Sequence, residues 1–442
     1  MKLFLILALV FAMKNNAECY HNFFFRSADD ITSGTLDPAR LDPSSVTLQG
    51  NNFILDNLNY VDKPYDIVVG TPGATGIDLE ITEAADINTA ITRAGVNGTV
   101  FFRTGVYPVG TTRINADGVS LLAAPGSSVV WRVTDGTAQM LKITNATVDG
   151  VKIDAYGTGI TTNFIDVSTG GRFTNFDLYG SSQNPTGDNT YRFSTISVNG
   201  STDVVIQGTM REFYLNQDAG ANEGENANIK VFNSTGVTIS LTAIPFKHYK
   251  GGTFGAGNNV WNFIHTVRSN NVKVVDGTYK NFGGTILRIG SKSSDVFFER
   301  NKVEISTWTP VASFGDGVIS FENRTDGVGP YTSTGTISIS YNSISVSTNG
   351  AGGFGGNFIW VGANGDNASV NGVIVSNNSM TFNRALAPGP ALSTMRFATI
   401  AATSHGTILR DNYVDGVTAF IADSGENTVY TSLGNVFRGA EQ

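Results

Sequence analysis

One pattern constrains this chain more than any other: an alternating apolar run that ends in a bend residue and then returns. Val296-Phe297-Phe298-Glu299-Arg300-Asn301 is one copy, and further copies lie at 151–153, 204–208, 237–241, 272–277, 337–342, 373–378, 408–412 and 429–435. Alternation sends every second side chain to one face of a strand. Asn and Gly, which close the runs, accept the left-handed backbone that tight bends need. Aligned on their ends, Asn301, Asn342, Asn378, Asn412 and Asn435 take equivalent places, 23 to 41 residues apart. A column of stacked Asn would let each side-chain amide bond the next coil. Irregular repeats of 20–50 residues describe a solenoid with loop insertions. A β-sandwich string or a propeller would instead need hairpin turns between every pair of strands. Here Asn-Gly and Asp-Gly pairs fall about once per coil. The predicted fold is all-β, a single-stranded parallel β-helix.

Composition agrees with many short strands rather than long helices. Charged residues are 15% of the chain, and there are 51 Gly against 12 Pro. The net charge is −8 and the pI about 5.1. That excludes nucleic acid as a partner, since its binders display basic faces. A polyanionic partner would need a local basic patch set against this background. Cys19 is the only cysteine. The chain therefore has no internal disulfide, and its length lets a continuous core do that work.

Met1 and Lys2 lead into an apolar run, 3–13, followed by a polar stretch and Ala17. This reads as a secretory signal over 1–17, too short for a membrane span. Residues 18–78 read as an extended leader or attachment segment, and 79–442 as the β-helix domain. Two phrases of the leader, 31–41 and 44–51, resemble segments of phage tail fibres and secreted bacterial fibre proteins, many of them trimeric. From Ala84, the residues Ile87, Ala90, Ile91 and Ala94 predict one short amphipathic helix. Gly98-Thr99-Val100-Phe101-Phe102 and Gly105-Val106-Tyr107 follow it. This helix and strand resemble the N-terminal cap and first coil of the pectate-lyase-like superfamily. The resemblance implies a right-handed parallel β-helix and a tendency to act on carbohydrate.

Chemistry in such a fold sits on a side groove. The densest candidate region is 247–326, where His265, Arg268, Arg288, Lys292, Glu322, Arg324 and Asp326 fall in neighbouring coils. Register decides which of them share a face. A lyase would use Arg288, with His265 or Lys292, to neutralise a uronate and remove the adjacent proton. A hydrolase would use two carboxylates, Glu322 and Asp326 first, Asp276 and Glu299 next. Trp261, Trp308, Arg268 and Arg324 are the sugar-binding candidates, with Trp360, Tyr249 and Tyr279 nearby. Asp218, Glu223 and Glu225, among Gly and Asn, form a candidate Ca²⁺ cradle. No zinc or thiol site is indicated.

The leading expectation is a secreted or surface protein, monomer or homotrimer, that binds an extracellular polysaccharide and cuts it as a lyase or glycoside hydrolase. The alternative is a non-catalytic fibre, spike or adhesin module. A trimeric spike should carry an exposed apolar stripe along one side.

Overall fold

The computed structural model describes residues 66–442 except 157, 159–162, 181–193, 214–215, 218–226, 246–260, 281, 283–284, 291, 307–317, 322–331, 334, 348–356, 363–368, 384–395, 418, 431–432 and 440–442, together with four short strands before residue 55. Two compact units result, Met1–Lys63 and Pro64–Gln442. In the smaller unit, Ile31–Thr32 pairs antiparallel with Thr35–Leu36, and Thr47–Gln49 with Asn52–Ile54. The first fibre-like phrase thus contains an antiparallel pair, and the second contains one strand of such a pair.

The larger unit is a right-handed parallel β-helix. Its described strands form a 22-stranded long sheet, a second, 12-stranded sheet and a small three-stranded sheet of Thr332–Ser333, Ser369–Asn371 and Ser404–His405. A representative coil places Leu141–Thr144 in the second sheet, then Thr147–Asp149 and Val151–Asp154 in the long sheet. The next coil re-enters the second sheet at Ile165–Val167, parallel and in register with Leu141. Every pairing in the long and second sheets is parallel except that of Asn216–Gln217 with the start of Trp261–Val267. The solenoid opens before the expected residue 79. Asp66–Gly70 already hydrogen-bonds in parallel to Thr99–Phe102, so it is the first rung rather than leader.

The helix forms at Ala84–Ala94, as the apolar spacing predicts. Asp86 accepts hydrogen bonds from the Thr82 and Glu83 amides and closes a capping box with Glu83. Its buried face, Ala84, Ile87, Ala90 and Ala94, joins the first coils in the core. Behind it the interior is filled by stacked aliphatic and aromatic residues such as Trp131, Phe173, Ile239, Phe298 and Ile339.

The Asn column is present. The Asn301 amide donates to Asn342 Oδ1 at 2.9 Å, Asn342 to Asn378 Oδ1 at 3.0 Å, Asn378 to Asn412 Oδ1 at 3.1 Å and Asn412 to Asn435 Oδ1 at 3.1 Å. Each of these five side chains also donates to a backbone carbonyl, as Asn342 does to Phe298 at 2.9 Å. The residue before each of the first four is left-handed: Arg300, Tyr341, Asn377 and Asp411, at φ 52° to 58°. Gly434 fills the same place at φ 72°.

Among the described residues no helix is long and apolar enough to cross a membrane. No apolar stripe of the kind a trimeric spike needs is seen there either. The large exposed apolar residues are Val96, Val106, Tyr156, Tyr341, Val429, Val436 and Phe437. One outward row of the long sheet runs polar from Lys152 through Asp177, Thr209, Thr242, Thr278, Lys302 and Ser343 to Ser379.

Candidate functional site

The second sheet carries a straight outward-facing ladder. Its strands read apolar–X–apolar, with the flanking residues in the core and X turned out. The register aligns Asn115, Lys142, Asp166, Ser197, Lys230, His265, Arg288, Ser320, Trp360 and Thr399. Successive members are about 4.8 Å apart, the spacing of hydrogen-bonded strands. This answers the question of register for the candidate residues: His265 stands directly opposite Arg288.

These two side chains turn outward yet are each only 2% exposed. The outer face is therefore closed over at their coils. The His265 ring reaches across to the next strand, where a Cβ built on Gly290 would lie 2.7 Å from Nε2. Towards the N-terminal coils the ladder opens, and Lys142, Asp166 and Lys230 are half-buried. Burial raises the Asp166 carboxyl above its ordinary value, opposed by the charges of Lys142 and Arg113 and by a 3.3 Å hydrogen bond from Ser168 Oγ. Phe232, half-buried two residues beyond Lys230, has the Lys230 ammonium 5.3 Å and the Arg268 guanidinium 5.7 Å from its ring centre. Exposed Arg113 adds a further cation, donating to Gln139 at 3.1 Å. The open half thus gathers Arg113, Lys142, Lys230 and Arg268 against Asp166 and the exposed Asp117, a basic patch on an acidic chain.

The remaining candidates divide. Lys292 is exposed and left-handed at the turn between the second-sheet strand Thr285–Ile289 and the long-sheet strand Ser294–Glu299, off the ladder. Trp261 begins the strand Trp261–Val267. Trp360 is on the ladder and half-buried, whereas Tyr279 is in the core. Glu322, Arg324, Asp326, Trp308, Tyr249, Asp218, Glu223 and Glu225 lie outside the described residues. Asp276 and Glu299 are committed to other partners. Asp276 receives Arg300 through two hydrogen bonds, at 2.8 and 3.0 Å, which hold its carboxyl below the usual carboxylate range. Glu299 accepts from Ser338 and Ser340 at 2.8 and 3.0 Å. Among the described residues no group of three or more His, Cys, Asp or Glu is placed to hold a metal ion.

Lys142, Asp166, Lys230 and Phe232 are the residues that sequence reasoning missed. Their signal was present in the triplets Leu141-Lys142-Ile143, Ile165-Asp166-Val167 and Ile229-Lys230-Val231.

No protein-family model and no curated protein matches the sequence. Solved structures do match in fold. PfbA, a surface adhesin of Streptococcus pneumoniae, superposes with a TM-score of 0.52 at 12% identity, over 81% of this chain and 93% of that one. A tailspike protein of E. coli bacteriophage HK620 gives 0.42 at 13%, over 80% and 61%. A family 28 exopolygalacturonase of Yersinia enterocolitica gives 0.38 at 10%, over 83% and 78%. At such identities the likeness is one of fold.

Proposed function

We propose that this pectate-lyase-like right-handed parallel β-helix binds an acidic extracellular polysaccharide along the outer face of its second sheet. The observation that carries the reading is the in-register ladder, with Lys142, Lys230, Phe232 and Arg268 accessible on its open half. Cations repeating along parallel strands offer a charged polymer repeated contacts, and the aromatic ring between two of them offers an apolar surface for a sugar. The role is that of an extracellular or surface protein. PfbA, similar in fold, is a surface adhesin, and the N-terminal apolar run of this chain adds export to the reading.

Binding rather than cleavage is the better supported activity. A hydrolase needs two carboxylates flanking the bond, and Asp166 is the sole carboxylate among the ladder residues aligned above. Of the groups a lyase would use, Arg288 and His265 are buried, and Lys292, the alternative partner of Arg288, is exposed at a turn off the ladder.

The test is titration of the full chain with uronate oligomers, comparing the native protein with Lys230→Ala/Arg268→Ala. The double variant should bind about tenfold or more weakly, the loss of two charge contacts at a partly exposed site. Equal affinity would sink the proposal. The same incubations, read for unsaturated product by ultraviolet absorbance and for new reducing ends, should stay silent. Either signal would move the reading to a lyase or a hydrolase respectively.

A further inference from the structure

A second concave site lies on the long sheet, and its cause is local. In most coils the bend between the two long-sheet segments is made by a left-handed residue, such as Asn175, Asp276, Arg300 or Tyr341. The two coils between Asn175 and Asp276 have none there. Thr202–Arg211 and Thr235–Ile244 instead run through as unbroken ten-residue strands. Gly208 sits at the crossing, where a Cβ would meet the Phe176 ring and carbonyl oxygen at 2.6 Å. The sheet opens here into a groove of about 470 Å³, bounded by Asn175 and Asp276 and floored by Gly208 and Leu241.

The charges in this groove are already spent. Arg211 donates to both carboxylate oxygens of Asp177, at 2.7 and 3.0 Å. Its guanidinium lies 4.4 Å over the Tyr179 ring. Tyr179 in turn stacks on Tyr156 at 5.3 Å and 11°. Three planar groups from successive coils thus stack outward from Arg211 on the groove's lining, and Tyr156 at the end of the stack is 55% exposed. Asp276 is matched by Arg300 in the same bidentate manner. What remains on the lining is uncharged: the amide of Gln207 and the hydroxyls of Thr209, Ser240 and Thr242. Among the described residues none hydrogen-bonds to these four side chains.

We propose that this groove binds an uncharged oligosaccharide, independently of the ladder on the second sheet. Hydroxyl and amide groups with no protein partner, spaced by strand pairing, can both donate to and accept from sugar hydroxyls. Arg211, the cation on the lining, is already paired with Asp177 and so offers an anionic glycan little attraction. A peptide strand has no edge to join, since Thr202–Arg211 is paired on both sides.

The experiment titrates the full chain with neutral oligomers from cellulose, mannan, dextran and galactan, with oligogalacturonate as the acidic comparison. Thr209→Val/Thr242→Val removes two hydroxyls while keeping shape and strand preference. Ser240→Trp fills the groove. Both are checked by thermal melting. At least one neutral oligomer should bind the native chain. The Val pair should weaken it about tenfold and Ser240→Trp should abolish it, with oligogalacturonate binding retained by both. The proposal is overturned if no neutral oligomer binds, if either variant binds as the native chain does, or if both ligands are lost together. Because the acidic oligomer reads the other sheet in the same protein, failure here and failure of the ladder are told apart.

Discussion

Asp166 shows what one outward residue contributes when its surroundings are partly dry. Burial makes the folded carboxyl hold its proton more tightly than the unfolded chain does. Its contribution therefore turns unfavourable as pH rises from the ordinary carboxylate value through the raised one, and stays so above. Asp166→Asn should be more stable than the native protein at neutral pH, and the advantage should vanish below the ordinary carboxylate range. Urea midpoints at several pH values measure this. An Asn variant less stable at neutral pH would mean that attraction to Lys142 and Arg113 outweighs burial. Gly290 makes a steric case beside it. A methyl there would stand 2.7 Å from both His265 Nε2 and the Thr266 carbonyl oxygen. Gly290→Ala should lower stability by about 1–3 kcal/mol, seen as a reduced urea midpoint at unchanged slope. An unchanged midpoint would show that ring and strand yield freely.

Among elements, the Asn column explains why so much of the fold was legible. Its members share a bend, a preceding left-handed residue and the same bonds, so the requirement is printed in residue type at every coil from Asn301 to Asn435. Asn342 is 2% exposed, accepts from the Asn301 amide and donates to the Phe298 carbonyl. Asn342→Ala leaves both groups buried without a partner, which costs about 1–3 kcal/mol for each. Asn435 is half-buried, so water can replace part of what its side chain supplies. Thermal melting should therefore rank Asn342→Ala well below Asn435→Ala, and equal losses would refute burial as the reason. The ladder of the second sheet was harder to read. Each strand shows only an apolar–X–apolar triplet, and loop lengths between triplets vary. The residue type at X is not specified by packing, because X faces out. Nothing in the sequence aligns Lys142 with Asp166 and Lys230 until register is known. The first rung, Asp66–Gly70, was missed for a related reason: its partner Thr99–Phe102 is distant in sequence, across the helix.

At the scale of the whole molecule, two electrostatic lengths compete. The chain carries a net charge of −8, which repels an acidic polymer at long range. The ladder's cations attract it at contact. Their relative weight depends on screening, whose length is about 30 Å at 0.01 M salt, about 10 Å at 0.1 M and about 3 Å at 1 M. At the lowest salt the polymer senses the charge of the entire domain. Near 0.1 M it senses little beyond the coils it touches, where Lys142, Lys230 and Arg268 dominate. At high salt those contacts weaken as well. Affinity for a uronate oligomer should therefore pass through a maximum as ionic strength rises. A neutral oligomer in the long-sheet groove, whose charged residues are paired among themselves, should show almost no dependence. Titrations of both ligands across that range measure the difference. A steady fall in uronate affinity from the lowest salt upward would mean that the ladder's field outweighs the net charge at all distances. A steady rise would mean that the cations do not hold the polymer, and the ladder would lose its claim to be the binding face.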